Sequence, residues 1–545
     1  MKKRILIAND ASFLGSGYGV YGKELLTKLH NTNKYEIAEL GCYADNNAKY
    51  NPPWKFYPNA VSSQDKRFES YKSNPQNQFG AWRFDRVLLD FQPHIVFDVR
   101  DYWMYSYQEN TCMREYFHWV IMPTVDSAPQ KTEWLFTFAN ADIVVPYTQW
   151  AKDVLQKSCG KTINLFSKVA NAGVNEKIFF SFEDKASHKT KILGKNYEVI
   201  GSVMRNQKRK LLPDILLSFR KYLNYLTENN LKEKSDNTIL YMHTSYPEDN
   251  GWDLPALLLE YQVIDKVYFS YKCKNCNAYF ASKFKGALTH CPKCEKNAGC
   301  FTSVSNHVDN QVLNEIYNLF DLFVQCAICE GFGMPQVEAA CCGIPLASVD
   351  YSAMTEIVEN LNGYKIPLAR LIREMETNAD RASPSIDGMV DIFKDFFVTH
   401  NSEYRTLKSK ETRELCLKQY TWSHVSNVWE ACFDAIDIST KKDWKSVDVS
   451  KTNHETHPVP NGLNSYELIE YMSTIIAHDP KLFYSASIQS ILRDSVFGIV
   501  SRGGAVRGLN MNDITGPIEN FISNKINSEK ARLNPRLLNP EDYLL

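Results

Sequence analysis

Three clusters in this chain carry residue types at spacings that can do chemistry. The first is Glu330-Gly331-Phe332-Gly333-Met334-Pro335-Gln336-Val337-Glu338, where seven residues separate two glutamates around a glycine-rich turn. Pro335 suits the first turn of a helix, so Glu330 falls in the loop before it and Glu338 about one turn inside. Amides at Gly333 and Met334 then become free helix-start donors for an anion, and the two carboxylates can accept hydrogen bonds from hydroxyls. A ligand with phosphate at one end and hydroxyls at the other satisfies both. A capped helix with two solvated glutamates is the structural alternative.

The second cluster is cationic: Arg205-Asn206-Gln207-Lys208-Arg209-Lys210, directly after an apolar run ending near Val203. Basic runs are usually solvated loops. This one sits where the first strand of a parallel sheet would end, the side on which open α/β sheets bind ligands. Two fixed cations there can stabilise negative charge on a bound anion without a metal.

The third cluster is Cys273-x-x-Cys276 and Cys291-x-x-Cys294, with fourteen residues between the pairs. That is zinc-ribbon spacing. Four thiolates close a tetrahedral shell and leave no place for a reactive water, so the expected ion is a structural Zn2+, with no catalytic metal. A redox pair is the alternative for either half alone. Residues 271–300 hold six lysines against one glutamate, and a tetrathiolate zinc at −2 leaves a local +3. His290 and Cys300 stand beside the set as bystanders.

A glycine loop also follows the first apolar run, Gly15-Ser16-Gly17-Tyr18-Gly19-Val20-Tyr21-Gly22. Gly17, Gly19 and Gly22 satisfy a dinucleotide fingerprint, in which glycines let amides approach a phosphate. The acidic residue that should close the second strand is poorly placed: Glu39 lies mid-strand and Asp45 beyond it. Nicotinamide binding, a structural tight turn, and sugar or phosphate contact all remain open for this loop, with contact through Gly17 and Gly19 the adopted reading. Thr124-Val125-Asp126 follows a further strand, and Asp126 there is either a sugar or acceptor contact or a structural Asp turn.

These residues need a scaffold that gathers them. Short apolar runs at 4–8, 36–42, 95–99, 119–122, 143–146 and 167–169 alternate with helical stretches, the pattern of a parallel sheet with crossover helices. After a hydrophilic bridge at 183–195 the pattern restarts, with strands expected at 199–203, 238–242, 266–270, 322–324 and 345–348. The fold class is therefore α/β, with two Rossmann-like domains facing a cleft, at 1–185 and 196–415. The cysteine segment 271–300 interrupts the second, 416–440 forms a crossover helix, 441–461 a polar linker, and 462–545 a small helical unit.

Composition narrows the function classes. With 545 residues, 44% hydrophobic and 23% charged, the chain reads as globular and multidomain. A formal charge of −1 removes any global field for polyanions, so such a site must be local. No run approaches the roughly 18 to 20 apolar residues that span a bilayer. The amino-terminal apolar run stops at Ala8, which reads as a strand and not a leader. Fourteen cysteines without a leader point to reduced thiols or metal ligands, and so to a cytoplasmic protein.

The Glu330 to Glu338 segment, followed by Gly343-Ile344-Pro345, resembles the donor site of family 4 (group 1) glycosyltransferases. The resemblance extends through most of residues 4–437, including 142–146, 172–175 and 350–353. It implies the GT-B architecture, a nucleoside diphosphate sugar donor, a UDP-sugar first among them, and transfer with retention. By the same resemblance Glu330 contacts the sugar, Glu338 the ribose hydroxyls, and Arg205 with Lys210 the diphosphate, whose own oxygen can take the acceptor proton. The family often has a histidine and an aspartate where Ala172 and Asn175 stand, so no role transfers there. A hydroxymethylated DNA base is the expected acceptor, on the ribbon's positive charge, the basic residues Arg502, Arg507, Lys525, Lys530 and Arg532, and a fold analogy to DNA-decorating bacteriophage enzymes. The alternatives are a carbohydrate, lipid or protein acceptor, a non-catalytic nucleic-acid-binding protein on the same scaffold, and a nicotinamide oxidoreductase.

Overall fold

The computed structural model describes residues 2–447 apart from 46, 304 and 305. The helical unit expected at 462–545, its basic residues, and the linker from 448 onward lie outside the described residues. Six parallel strands form the first sheet: β1 (Lys3–Asp10), β2 (Tyr35–Cys42), β3 (Lys55–Pro58), β4 (Ile95–Arg100), β5 (His118–Pro123) and β6 (Ile143–Val144), in the order β3-β2-β1-β4-β5-β6. β1 is buried continuously from Ile5 to Asp10, as a strand covered by helices on both faces must be.

The second sheet starts with β7 (Glu198–Val203), β8 (Thr238–His243) and β9 (Val267–Cys273). It continues through β10 (Tyr279–Lys283), β11 (Leu288–His290), β12 (Asn297–Phe301), β13 (Leu322–Gln325), β14 (Leu346–Val349) and β15 (Tyr364–Ile366). The order is β11-β12-β9-β8-β7-β13-β14-β15, with β10 on β9. β7, β8, β9, β13, β14 and β15 run parallel, and β10, β11 and β12 are antiparallel additions between whose ends the cysteine turns lie. The α/β class and two-sheet architecture agree with the sequence pattern.

Three local expectations need correction, and the edge strand β3 adds an element the apolar runs did not mark. Residues 167–169 form no strand. After the two-residue β6 the sheet edge gets only an isolated Val144–Leu165 bridge, and the chain then turns away. β3 carries no apolar run, since at the sheet edge it needs only backbone pairing with β2. The hydrophilic bridge contains a helix, Lys185–Leu193, started by Asp184 accepting from the Ser187 amide and stopped by Gly194 at φ 81°. It docks through Lys189, which donates to Asp321 at 2.6 Å. The polar linker begins as packed structure, for Trp444 is buried and its Nε1 donates to the Pro93 carbonyl at 3.0 Å. A hairpin absent from the sequence reading, β16 (Leu368–Arg373) with β17 (Asp380–Pro384), follows β15.

The helix Trp422–Ala435 returns the chain to the first domain. Trp429 packs on Phe97 at 5.1 Å between centroids and donates Nε1 to the Tyr21 hydroxyl at 2.8 Å. The second domain is thus tethered to the first at residues 170–180 and again through this helix, whose buried aromatic pairs add roughly 0.5–1.5 kcal/mol each beyond area burial. Among the described residues no helix is long and apolar enough to cross a membrane.

Candidate functional site

Each sheet reverses its strand order once, between β1 and β4 in the first and between β7 and β13 in the second. Loops leaving the carboxyl ends of strands on either side of such a reversal diverge and leave a crevice. The sequence clusters converge at these two points.

On the first domain the loop after β1 carries the glycines. Ser16 caps the helix Gly17–Asn31, accepting from the Gly19 amide at 3.1 Å and donating to Asp10 at 2.6 Å. Gly19 is a packing requirement: a Cβ there would lie 2.6 Å from the Leu14 carbonyl oxygen. Gly17 instead borders the cleft, where a Cβ would stand 3.9 Å from Met334 Sδ of the opposite domain. Glu39 accepts from the Ser12 amide, the Ser12 hydroxyl and Trp54 Nε1, each at 2.7 Å, so the second strand's carboxylate is spent on fixing the glycine loop.

On the second domain the cationic loop is zipped to the loop after β13. The Leu211 amide donates to the Cys326 carbonyl and the Ile328 amide to the Arg209 carbonyl, both at 3.0 Å. This register seats Lys210 and Arg209 over Glu330. Lys210 is 7% and Glu330 6% exposed, and Lys210 Nζ contacts Glu330 Oε1 directly. Arg209 donates to Glu330 Oε2 at 3.0 Å and Gln325 Nε2 to Oε1 at 2.9 Å. Arg205, the expected partner of Lys210, turns away and forms a bidentate pair with Glu248 at 2.9 Å on each oxygen.

The helix Met334–Cys341 begins at Gly333, whose φ of 92° is costly for residues with a Cβ. No side chain caps it, which leaves its first amides available to an anion. Glu338 is half-buried and accepts from the Tyr317 hydroxyl at 2.7 Å. Burial pushes its carboxyl up to about 7, against the pull of that hydroxyl. Glu338 shares no hydrogen-bond partner with Glu330.

The two halves touch. Tyr147 stacks on Phe332 at 5.3 Å, and Gly331 packs on Thr124 so closely that a Cβ would fall 2.2 Å from Thr124 Cγ2. Asp126 accepts from the Cys329 thiol at 3.1 Å and from Arg381 of β17 at 3.3 Å, a cross-domain set next to Glu330. The sequence reading passed over Asp101, at the end of β4. It is half-buried and hydrogen-bonded by Tyr18 and Thr124. Burial and Asp126 push its carboxyl up to about 6, while those hydrogen bonds and the charge of Arg209 oppose the rise. Sequence reasoning thus missed Asp101, Arg209 and Arg381. The first was findable as the acidic residue closing the strand beside β1.

The four cysteines come together. All four Sγ atoms lie within 4.8 Å of one another, with Cys273–Cys294 at 3.6 Å and Cys276–Cys291 at 3.7 Å. Thiolates about 2.3 Å from a tetrahedral zinc stand about 3.8 Å apart, so the residues fit that ion. The Asn275 amide donates to Cys273 Sγ and the Lys293 amide to Cys291 Sγ, both at 3.4 Å. Asn277 and Glu295, both at positive φ (57° and 59°), turn the two knuckles alike. Cys273 ends a strand shared with the second sheet, and Lys272 Nζ donates at 2.7 Å to the His307 carbonyl. The His307 ring borders Gly15 of the glycine loop, linking the ribbon to the cleft rim.

Residues 295–376, which include Glu330, Gly333 and Glu338, match the family described as Glycosyl transferases group 1. No curated protein matches the chain in sequence. Solved structures share its fold. Sucrose-phosphate synthase from Thermosynechococcus elongatus superposes with a TM-score of 0.55 at 14% identity, over 80% of this chain and 100% of the other. Anabaena HepE in complex with UDP and glucose gives 0.53 at 12%, over 80% and 100%. The E. coli trehalose-6-phosphate protein bound with UDP-2-fluoro glucose gives 0.53 at 11%, again over 80% and 100%. The chain therefore has the GT-B architecture, its match to the group 1 glycosyl transferases is confined to residues 295–376, and at these identities the structural likeness speaks for the fold alone.

Proposed function

We propose that this protein is a retaining glycosyltransferase that moves a sugar from a nucleoside diphosphate sugar to an acceptor hydroxyl. The observation that carries the reading is the meeting, at the second sheet's switch point, of Lys210, Arg209 and Glu330 with the uncapped helix start at Gly333 and Met334. An anion held there receives backbone amides and two cations, while Glu330 and Glu338 offer acceptors to hydroxyls. Cations fixed before the reaction stabilise the charge that grows on the departing diphosphate. Arg209 takes the part that the family resemblance assigns to Arg205.

Similar folds solved with UDP and glucose, or with UDP-2-fluoro glucose, support a UDP-sugar as donor. Retention rests on the family 4 resemblance. Cys273, Cys276, Cys291 and Cys294 would hold a structural zinc that braces the ribbon against the second sheet. For the acceptor, a hydroxymethylated DNA base is supported by Lys274, Lys283, Lys285, Lys293 and Lys296, all exposed on the ribbon, and by the His307 contact that joins the ribbon to the cleft rim.

A thermal-shift screen across UDP-, GDP-, ADP- and dTDP-sugars tests the donor, because a ligand that binds only the native state stabilises it by mass action. Stabilisation by one nucleotide sugar and transfer of its labelled sugar to hydroxymethylated duplex DNA is the expected result. Stabilisation by none overturns the transferase reading. Transfer to a carbohydrate, lipid or protein instead overturns only the acceptor, and NMR of the product's anomeric proton decides retention.

A further inference from the structure

We propose that Ser352 is a positioning residue for Glu330, gripping its backbone from behind so that its carboxylate stands where the donor sugar meets it. The inference rests on the transferase reading, in which Glu330 faces the sugar, and adds a buried residue that acts only through Glu330.

Ser352 occupies the N-cap position of the helix Ala353–Asn360. Serine is favoured at such positions because its hydroxyl ordinarily accepts from the second or third amide of the helix it precedes. Ser352 makes no capping bond. Its Oγ lies instead 3.1 Å from the Glu330 amide nitrogen, from which it accepts, and 3.1 Å from the Glu330 carbonyl oxygen, to which it donates. One fully buried hydroxyl thus engages both backbone hydrogen-bonding groups of a single residue in the site.

The backbone of Ser352 is strained. Its φ of 55° and ψ of −147° fall where residues with a Cβ are rare and glycine is at ease. Glycine would relieve that backbone, yet it has no hydroxyl to offer Glu330. Strained conformations persist only where the surroundings over-determine them, and they gather at functional sites. Here the strain and the diverted hydroxyl occur at one residue, and both serve the same contact.

What the contact fixes is the point from which the Glu330 side chain starts. Its carboxylate is shared by Arg209, Lys210 and Gln325, and the next residue, Gly331, packs on Thr124 of the first domain. Held at amide and carbonyl, Glu330 cannot turn its peptide planes, so its oxygens keep the places those three donors define. The loop that does the holding is itself referenced to both domains. The Tyr351 hydroxyl donates to the Asp380 carbonyl at 2.6 Å and accepts from the Ala128 amide of the first domain at 3.4 Å. Glu356, in the helix that Ser352 opens, accepts from the Trp150 amide of the first domain at 2.9 Å. Because a displacement of about 1 Å in a site can cost about a hundredfold in rate, an anchor tied to both walls of the cleft matters to turnover more than to folding.

The test uses the full chain, the nucleotide sugar selected by the thermal-shift screen, and water as acceptor, read as nucleotide release. Ser352→Gly deletes the hydroxyl and relieves the backbone, so its Tm should match or exceed that of wild type. Its turnover should nevertheless fall about tenfold or more, with affinity for the nucleoside diphosphate alone within about twofold of wild type. Ser352→Ala deletes the same hydroxyl and keeps the strain, so it should lose as much activity as Ser352→Gly at a lower Tm. Residues that act as one unit are not additive, so in a Glu330→Gln background Ser352→Gly should change turnover by no more than about twofold. Near-normal turnover of Ser352→Gly, activity that follows Tm across the two variants, or a full further loss in the Glu330→Gln background overturns the inference and leaves the transferase reading standing. No nucleotide release by wild type from any donor of the panel overturns both.

Discussion

The ribbon and the cleft are both sites built from side chains that converge, yet they are assembled in opposite ways. The ribbon draws its four thiols from Cys273 to Cys294, on two knuckles of nearly the same shape. The cleft draws Asp101, Asp126, Lys210, Glu330 and Arg381 from five separate segments of both domains. A site made locally is set by spacing, because each knuckle's backbone delivers its sulfurs with little help from the rest of the chain. A site made at a distance is set by the register of strands and loops, so which of several neighbouring cations enters it is a tertiary decision.

The largest effect that would sharpen this contrast is on the ribbon. Purified protein should contain about one zinc per chain by elemental analysis, and Cys276→Ser or Cys291→Ser should lose the metal together with amide-exchange protection across 271–300, since metal binding and local folding are one equilibrium. Metal-free protein with that segment still protected would break the comparison. In the cleft, Lys210→Ala and Arg209→Ala should each lower turnover about a hundredfold or more, the loss expected for a fixed charge in the transition state. Arg205→Ala should stay within about threefold, because its guanidinium is committed to Glu248 at a half-exposed position. The reverse ranking would return the role to the residue chosen by spacing.

A smaller change is expected at Glu338. Glu338→Gln should weaken donor binding by roughly 1.5–3 kcal/mol, the range for a hydrogen bond to a charged group, with thermal stability maintained. The wild-type carboxyl, pushed up to about 7, gains a proton as pH falls through that value. Donor affinity should therefore decline below about pH 7 and not above it, and titration calorimetry at several pH values checks both. Smallest is the ribbon's electrostatic share. If duplex DNA is the acceptor, replacing Lys283 and Lys285 with alanine should flatten the slope of log affinity against log salt by about one or two units.

Much of this protein was legible in its sequence. The alternation of apolar runs and helices specified two parallel sheets, because strands buried on both faces must be apolar throughout while the crossovers are amphipathic. The cysteine spacing specified the ribbon, and the segment from Glu330 to Glu338 its loop and helix start, because φ at Gly333 and Pro335 are local properties. Edge strand β3 and the hairpin β16–β17 were not legible, since neither carries a buried apolar stripe and both depend on partners elsewhere in the chain. The same reason covers the site. That Arg209 and not Arg205 meets Glu330 follows from the Arg209 carbonyl pairing with the Ile328 amide, and that Asp126 meets a cation follows from Arg381 reaching it from a hairpin of the other domain. Residue type and short-range spacing decide which groups a loop can offer. Long-range hydrogen-bond register and domain contact decide which of them face one another, because those contacts join residues more than a hundred positions apart and no local pattern encodes them.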